Sequence, residues 1–268
     1  LVLPVITDPV VIDGTTQPGF SGMPLIELDG SQAGSNVDGL EIASGGSTIR
    51  GLAVGGCDGF GILLTGNGGN VVQGNHLGTD SSGTLRRHNH GGIGIFNSNN
   101  LIGGTTAPAR NVVSANTDGI YILGSNNLVQ GNFIGTDTSG TASLSNGSYG
   151  IELAASSGQS GNNVIGGTAP GARNIISGNS RYNLRVSSTD NTIQGNFIGP
   201  DASGQHLGGE IAIVIERGMR NTVTTNVIVG GIFGILLAET SSNVIVANTI
   251  SVTTAVPKDP DVDPLITF

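Results

Sequence analysis

Residues 119 to 141 read GIYILGSNNLVQGNFIGTDTSGT, and blurred copies of that string run from one end of the chain to the other. Inside it three apolar runs, Ile120 to Ile122, Leu128 to Val129 and Phe133 to Ile134, are separated by Gly, Asn and Ser pairs too brief to hold a helix. Short alternating runs broken by turn residues are strands that bury one face each. A triangle of three such strands has no core of its own, so it is stable only when copies stack on it.

The copies are present. A first strand, Gly then an aliphatic residue, any residue and another aliphatic, recurs at Gly39, Gly61, Gly92, Gly119, Gly150 and Gly234, with Asn183 and Glu210 in place of Gly in two further copies. That makes eight rungs spaced 22 to 33 residues apart. A second strand opens with Asn70, Asn100, Asn127, Asn163, Asn191, Asn221 and Asn243, and Ser47 takes that place in the earliest copy. A corner Asn closes it at Asn75, Asn132, Asn196, Asn226 and Asn248. Asn side chains bond neighbouring backbone and their own copies one rung away, so the turns should carry an Asn ladder.

With 46 Gly among 268 residues, 11% charged and 4% aromatic, the chain is too poor in helix formers for an α fold, and its Gly is spread over turns rather than gathered in a disordered tract. The net charge of −9 argues against nucleic acid or an anionic membrane surface as partner. No apolar run approaches the roughly 18 to 20 residues that span a bilayer, which predicts a soluble chain with no membrane insertion. Cys57 is alone, excludes a disulfide framework and reads as a small buried hydrophobe. The start at Leu1, without Met or a leader pattern, reads as a processed form or a piece of a longer chain.

Three regions follow. Residues 1–36 form an opening coil or cap, with strands at Val10 to Asp13 and Leu25 to Asp29. Residues 37–252 are the regular stack. Residues 253–268, with Pro257, Pro260 and Pro264, cannot continue a ladder and read as a tail or linker.

A longer period overlies the rungs. GNHLGTDSSGT at Gly74 returns as GNFIGTDTSGT at Gly131 and GNFIGPDASGQ at Gly195, and GGTTAPARN at Gly103 returns as GGTAPGARN at Gly166. Alternate rungs therefore carry a long loop after the third strand or after the second. These strings, with the opening VIDGTTQPGFSG, resemble the parallel β-helix repeats of large bacterial extracellular and surface proteins. The resemblance covers roughly residues 10 to 250 and implies an all-β fold, a right-handed parallel β-helix of the pectin-lyase-like type with about eight three-strand coils. That hand is also the one expected of parallel crossovers. The resemblance implies an extracellular or cell-surface setting, neighbouring domains in a larger chain, and polysaccharide or a cell-surface glycan as partner. It carries no catalytic signature across, because that architecture hosts lyases, hydrolases, epimerases, tailspikes and adhesins.

In the first strand the middle residue points outward, which gives a column Glu41, Leu63, Gly94, Tyr121, Glu152, Arg185, Ala212, Leu236. Tyr121, Glu152 and Arg185 fall on successive rungs, with the long loops ending at Gly91 and Tyr149 placed to wall them. A phenol, a carboxylate and a guanidinium there could hold a sugar acid. If the site is catalytic, Tyr121 or Arg185 would move the proton and Glu152 would be the charge partner. Asp118 on the neighbouring rung could complete a carboxylate pair with Glu152, at the spacing of a retaining or an inverting glycosidase. The plainer reading is a half-exposed ion pair, Glu152 to Arg185, with Tyr121 over the alkyl stem.

Other polar repeats point to structure. Asp80, Asp137 and Asp201 make Ca²⁺ the one cofactor with any ligand on offer, but one carboxylate per loop falls short of the six to eight oxygens that ion takes, so turn bonding is the expectation and no cofactor is assigned. His88 and His90 read as solvated loop residues, and Arg110 and Arg173 as ties from a loop to a backbone carbonyl. The evenness of the repeats and the absence of Trp favour a non-catalytic extracellular module, a spacer or adhesive rod; the alternative is a polysaccharide-active enzyme using the Tyr121, Glu152, Arg185 face.

Overall fold

The computed structural model describes residues 2–155 and 160–253, so the tail expected at 253–268 lies, past its first residue, outside the described residues. Among the described residues the chain forms 26 strands and two single 3₁₀ turns, Gly14–Thr16 and Ala107–Ala109. The strands assemble into three sheets of eight, nine and nine, each made of every third strand in chain order. Every pairing between named strands is parallel. This is a right-handed parallel β-helix of about eight full coils.

The first sheet begins at Leu40–Ile42 and ends at Phe233–Ala238. Its register places Leu40 on Ile62, Ile62 on Ile93, Ile93 on Ile120, Ile120 on Ile151, and Ile151 on Leu184. These side chains stand in file and are almost wholly buried. The second sheet runs from Val11–Asp13 to Val244–Val246, and the third from Ile26–Asp29 to Thr249–Val252. Residues 1–36 thus contribute the first strand of two sheets, and Ile6 bridges Ile42 to begin the remaining one. Each aliphatic side chain that fills a column contributes about 1.5 to 3 kcal/mol by leaving water.

One rung departs from the sequence reading. The strand after Tyr182–Val186 is Ile211–Glu216, and Arg185 pairs with Val214, not Ala212. Ala212 is fully buried. The expected Gly-like position therefore falls two residues later than Glu210; Ile211, Ile213 and Ile215 alternate along the strand, so the pattern fits either register.

Three Asn ladders, where one was expected, bind coil to coil. The first runs from Ser47 through Asn70, Asn100, Asn127, Asn163 and Asn191 to Asn221 and Asn243, each Asn Oδ1 accepting from the backbone N–H of its counterpart at 2.8–3.0 Å. The residue before it sits in the left-handed region, as at Asn99, Asn126 and Asn162, which explains the Asn-Asn pairs in the sequence. The second runs from Asn75 through Asn111, Asn132, Asn174, Asn196 and Asn226 to Asn248. Asn111 and Asn174 escaped the sequence reading because a long loop precedes them. The third, Asn89, Asn116, Asn146 and Asn179, lies two or three residues before a first-sheet strand. Gly131, at φ 71°, turns the chain beside the Gly104 carbonyl, where a Cβ would clash at 1.9 Å.

The long loops after the third strand close on themselves at Thr79 to Arg86, Thr136 to Ser143 and Pro200 to His206. Asp80, Asp137 and Asp201 each bond turn hydroxyls and backbone N–H groups within their loops. Thr138 donates to the Ser82 carbonyl and Ala202 N–H to that of Gly140, so successive loops stack. Gly83 lies against the His76 ring and Gly140 against that of Phe133, which puts these loops over the third sheet rather than walling the first. Arg110 and Arg173 complete this layer: each Nε donates to a corner carbonyl, Gly131 or Gly195, at 3.1 Å, and each guanidinium lies 4.0 Å above Phe133 or Phe197.

The Asn132 carboxamide accepts twice from Asn111 and donates to Ile102, Gln130 and Asn174, all out of water. Asn132→Ala should cost at least about 3 kcal/mol in urea unfolding, since each buried partner left unmatched costs about 1–3 kcal/mol. Asn248→Ala, at the half-exposed end of the same ladder, should cost less than half as much, because water replaces the lost bonds.

Candidate functional site

With the third sheet covered by loops, the first sheet offers the most distinctive outer face. Tyr121 pairs in register with Glu152 and Glu152 with Arg185, as alternation along the strands requires. Arg185 does more than answer one acid. Its Nη1 lies 2.5 Å from Glu152 Oε1 and its Nη2 lies 2.8 Å from Glu216 Oε2, so the guanidinium bridges carboxylates on both neighbouring coils. Glu216 reaches it diagonally, from two positions beyond Val214 on the next strand. Tyr121, Glu152, Arg185, Glu216, Arg217 and Ala154 help line an open depression of about 280 Å³.

Aromatic rings extend this cluster in both directions. Phe60, Phe96 and Tyr121 form a contact group with ring centroids 5.7 to 6.5 Å apart. Gly94 makes room for it, because a Cβ there would touch the Phe60 ring at 3.0 Å and Leu63 at 2.8 Å. Tyr149 and Tyr182 stack at 5.8 Å, with Arg185 lying 5.7 Å from the Tyr149 ring and Arg181 4.9 Å from that of Tyr182. Tyr121 thus packs against phenylalanines, and the ring beside the Arg185 stem is Tyr149. All three tyrosines of the chain and three of its seven phenylalanines, Phe60, Phe96 and Phe233, sit on or beside this one face. Phe96 is 43% exposed.

Burial and ion pairing shift the acids of this face in opposite directions. Burial raises the Glu152 carboxyl above the ordinary glutamate value, against the pull of Arg185. Burial also raises the Tyr121 phenol, helped by Glu152. Asp118 stands one coil away, in the column of Gly91, with its own pKa raised by burial; the Tyr149 backbone and the Ser148 hydroxyl pull the other way. Its Oδ1 is buried without a hydrogen-bond partner among the described residues. Asp118 and Glu152 differ by three positions along extended strands as well as by a coil, about 10 Å of backbone, and Asp118 raises the Glu152 pKa only through space. The bridged pair on this face is therefore Glu152 and Glu216, through Arg185. Glu216 is held below the ordinary value by its hydrogen bond to Arg185.

Sequence reasoning missed Glu216 because the two-residue offset of its strand hid the register. It missed the aromatic group because Phe60, Tyr149 and Tyr182 precede the column that was read. The signal was present: the residue just ahead of the strand Gly is aromatic in those copies, in the same place where Asp38 and Asp118 stand in others.

A larger recess of about 450 Å³ lies at the corner between the first and second sheets. Turn residues line it, and its charged groups, Asp190 and Arg220, already form a two-pronged pair at 2.7 and 2.8 Å. Among the described residues no three His, Cys, Asp or Glu side chains converge as metal ligands. His88 bonds Thr117 across one coil, and the buried Cys57 thiol is pushed up to about 11 by loss of water. Among the described residues no helix is long and apolar enough to cross a membrane.

No protein-family model matches the chain, and no curated protein does. Among solved structures it is similar to the A-module of mannuronan C-5 epimerase AlgE4 of Azotobacter vinelandii, at 11% identity and a TM-score of 0.40, over 94% of this chain and 90% of that one.

A carboxyl whose pKa is raised on folding binds its proton more tightly in the folded state. Its effect is therefore a loss of stability as pH rises from the unfolded value, near 3.8 for Asp118, through the raised one. Asp118→Asn removes that loss. The variant should gain stability relative to the parent between about pH 4 and pH 7, as read from denaturant midpoints at both values.

Proposed function

We propose that the chain is a non-catalytic module of a larger extracellular or cell-surface protein, a rigid rod that contacts polysaccharide through the outer face of its first sheet. The observation that carries this reading is the gathering of exposed and half-exposed rings in a chain with only 4% aromatic residues. Rings left partly in water on a flat, regular sheet offer their faces to the C–H side of sugar rings, and the polar edge of Tyr121 with Glu152 and Glu216 beside it can bond hydroxyls. Successive coils repeat at about 4.8 Å, so a polymer lying along the axis meets the ring cluster and the Arg185 bridge in turn. The Arg185 guanidinium is engaged on both sides, which fits a fixed strut better than a group that must move a proton.

An enzymatic reading rests on one different observation, the raised carboxyls of Asp118 and Glu152 next to an open depression. In it Glu152 or Asp118 would deliver or take a proton while Tyr121 and Arg185 hold the sugar. The two readings part in a simple assay. In affinity electrophoresis against a panel of neutral and uronate-containing polysaccharides, at least one polymer should retard the protein, with no new reducing ends and no unsaturated product. Product formation that disappears in Glu152→Gln would replace the module reading with the enzymatic one. Tyr121→Ala and Phe96→Ala should each weaken retention between about two- and tenfold, from a ring contribution of about 0.5–1.5 kcal/mol, without shifting the thermal midpoint by more than a few degrees.

A further inference from the structure

We infer that the glycan held on this face lacks acidic groups. The inference rests on the polysaccharide-contacting reading above and names the class of polymer. A sugar acid is recognised by a guanidinium that can offer both prongs to its carboxylate. Arg185, the one cation within the outward column of the first sheet, has both terminal nitrogens engaged by acids: Nη1 is held by Glu152 at 2.5 Å and Nη2 by Glu216 at 2.8 Å. The three groups together carry one negative charge when both acids are ionised. A carboxylate approaching Arg185 must displace one of these acids and then sit beside both.

Arg217, on the rim of the depression, is paired with Glu239 at 2.8 Å. Arg181 forms no carboxylate pair among the described residues, and it lies over the Tyr182 ring, outside the depression. Like charges within a few ångströms repel even at physiological ionic strength, where screening acts over about 8 Å. What the face does offer is rings for stacking and carboxylate oxygens that accept from hydroxyls or ammonium groups. An uncharged hexose polymer uses both, and an amino-sugar polymer adds attraction to Glu152 and Glu216.

Binding of cellohexaose, a glucosamine hexamer and a galacturonic acid hexamer to the whole chain would be followed by calorimetry at fixed salt. Cellohexaose or the glucosamine hexamer should bind at least tenfold more tightly than the acidic hexamer. Glu152→Gln/Glu216→Gln, which keeps shape while freeing the guanidinium, should narrow or invert that ratio; each single variant, read by the same ratio, guards against a double variant that does not fold. Arg181→Ala should leave the ratio unchanged. If the acidic hexamer binds the parent chain as tightly as the others and Tyr121→Ala weakens it, the inference is wrong while the binding face stands. If none of the three binds, the polysaccharide reading falls and this inference with it.

Discussion

The structure depends on hydrogen bonds that run along the stack rather than within a coil. The strands of a coil pair only with the coils before and after, and its corners are held by carboxamides that each accept from the Asn of the preceding coil and donate back to one of that coil's carbonyls. At Asn132 one side chain joins three coils. Because these groups are out of water, every bond is strong and every omission is costly. That is why the ladders stay in register through coils whose loops differ in length, and why the aliphatic files in the interior remain unbroken from Leu40 to Ile235.

The same constraint decides where variation is tolerated. Loops can be inserted only at corners, and the long ones fold onto the third sheet, where loop stacks on loop and Arg110 and Arg173 lie over phenylalanine rings. With that flank closed, the first sheet is left to present residues that the core does not need. Its outward positions lie outside the aliphatic core, and they gather an aromatic group and the Arg185 bridge in a chain poor in both aromatic and charged residues. Coupling between the two is direct, since Arg185 meets Tyr149 as well as Glu152 and Glu216.

Much of this was legible in residue order. Tyr121, Glu152 and Arg185 were readable as neighbours on successive coils because a parallel register follows from a repeat and a two-residue alternation. The Asp turns and the tie of each Arg to a carbonyl were readable because they recur with the loops. Glu216 was not readable, since Ile211, Ile213 and Ile215 alternate and the strand fits either of two registers. Asn89, Asn116, Asn146 and Asn179 were hidden by their variable distance from the strands they precede.

The sequence by itself determined the solenoid: short alternating strands with Gly and Asn at the corners have no other way to bury their apolar sides, whatever the details of the loops. Only the tertiary structure decided which face is closed and which is open, and that Arg185 is held by two acids instead of one. Those outcomes depend on how far a loop reaches and on which coil a diagonal neighbour occupies. Both are set by backbone geometry summed over many residues, which no local pattern records.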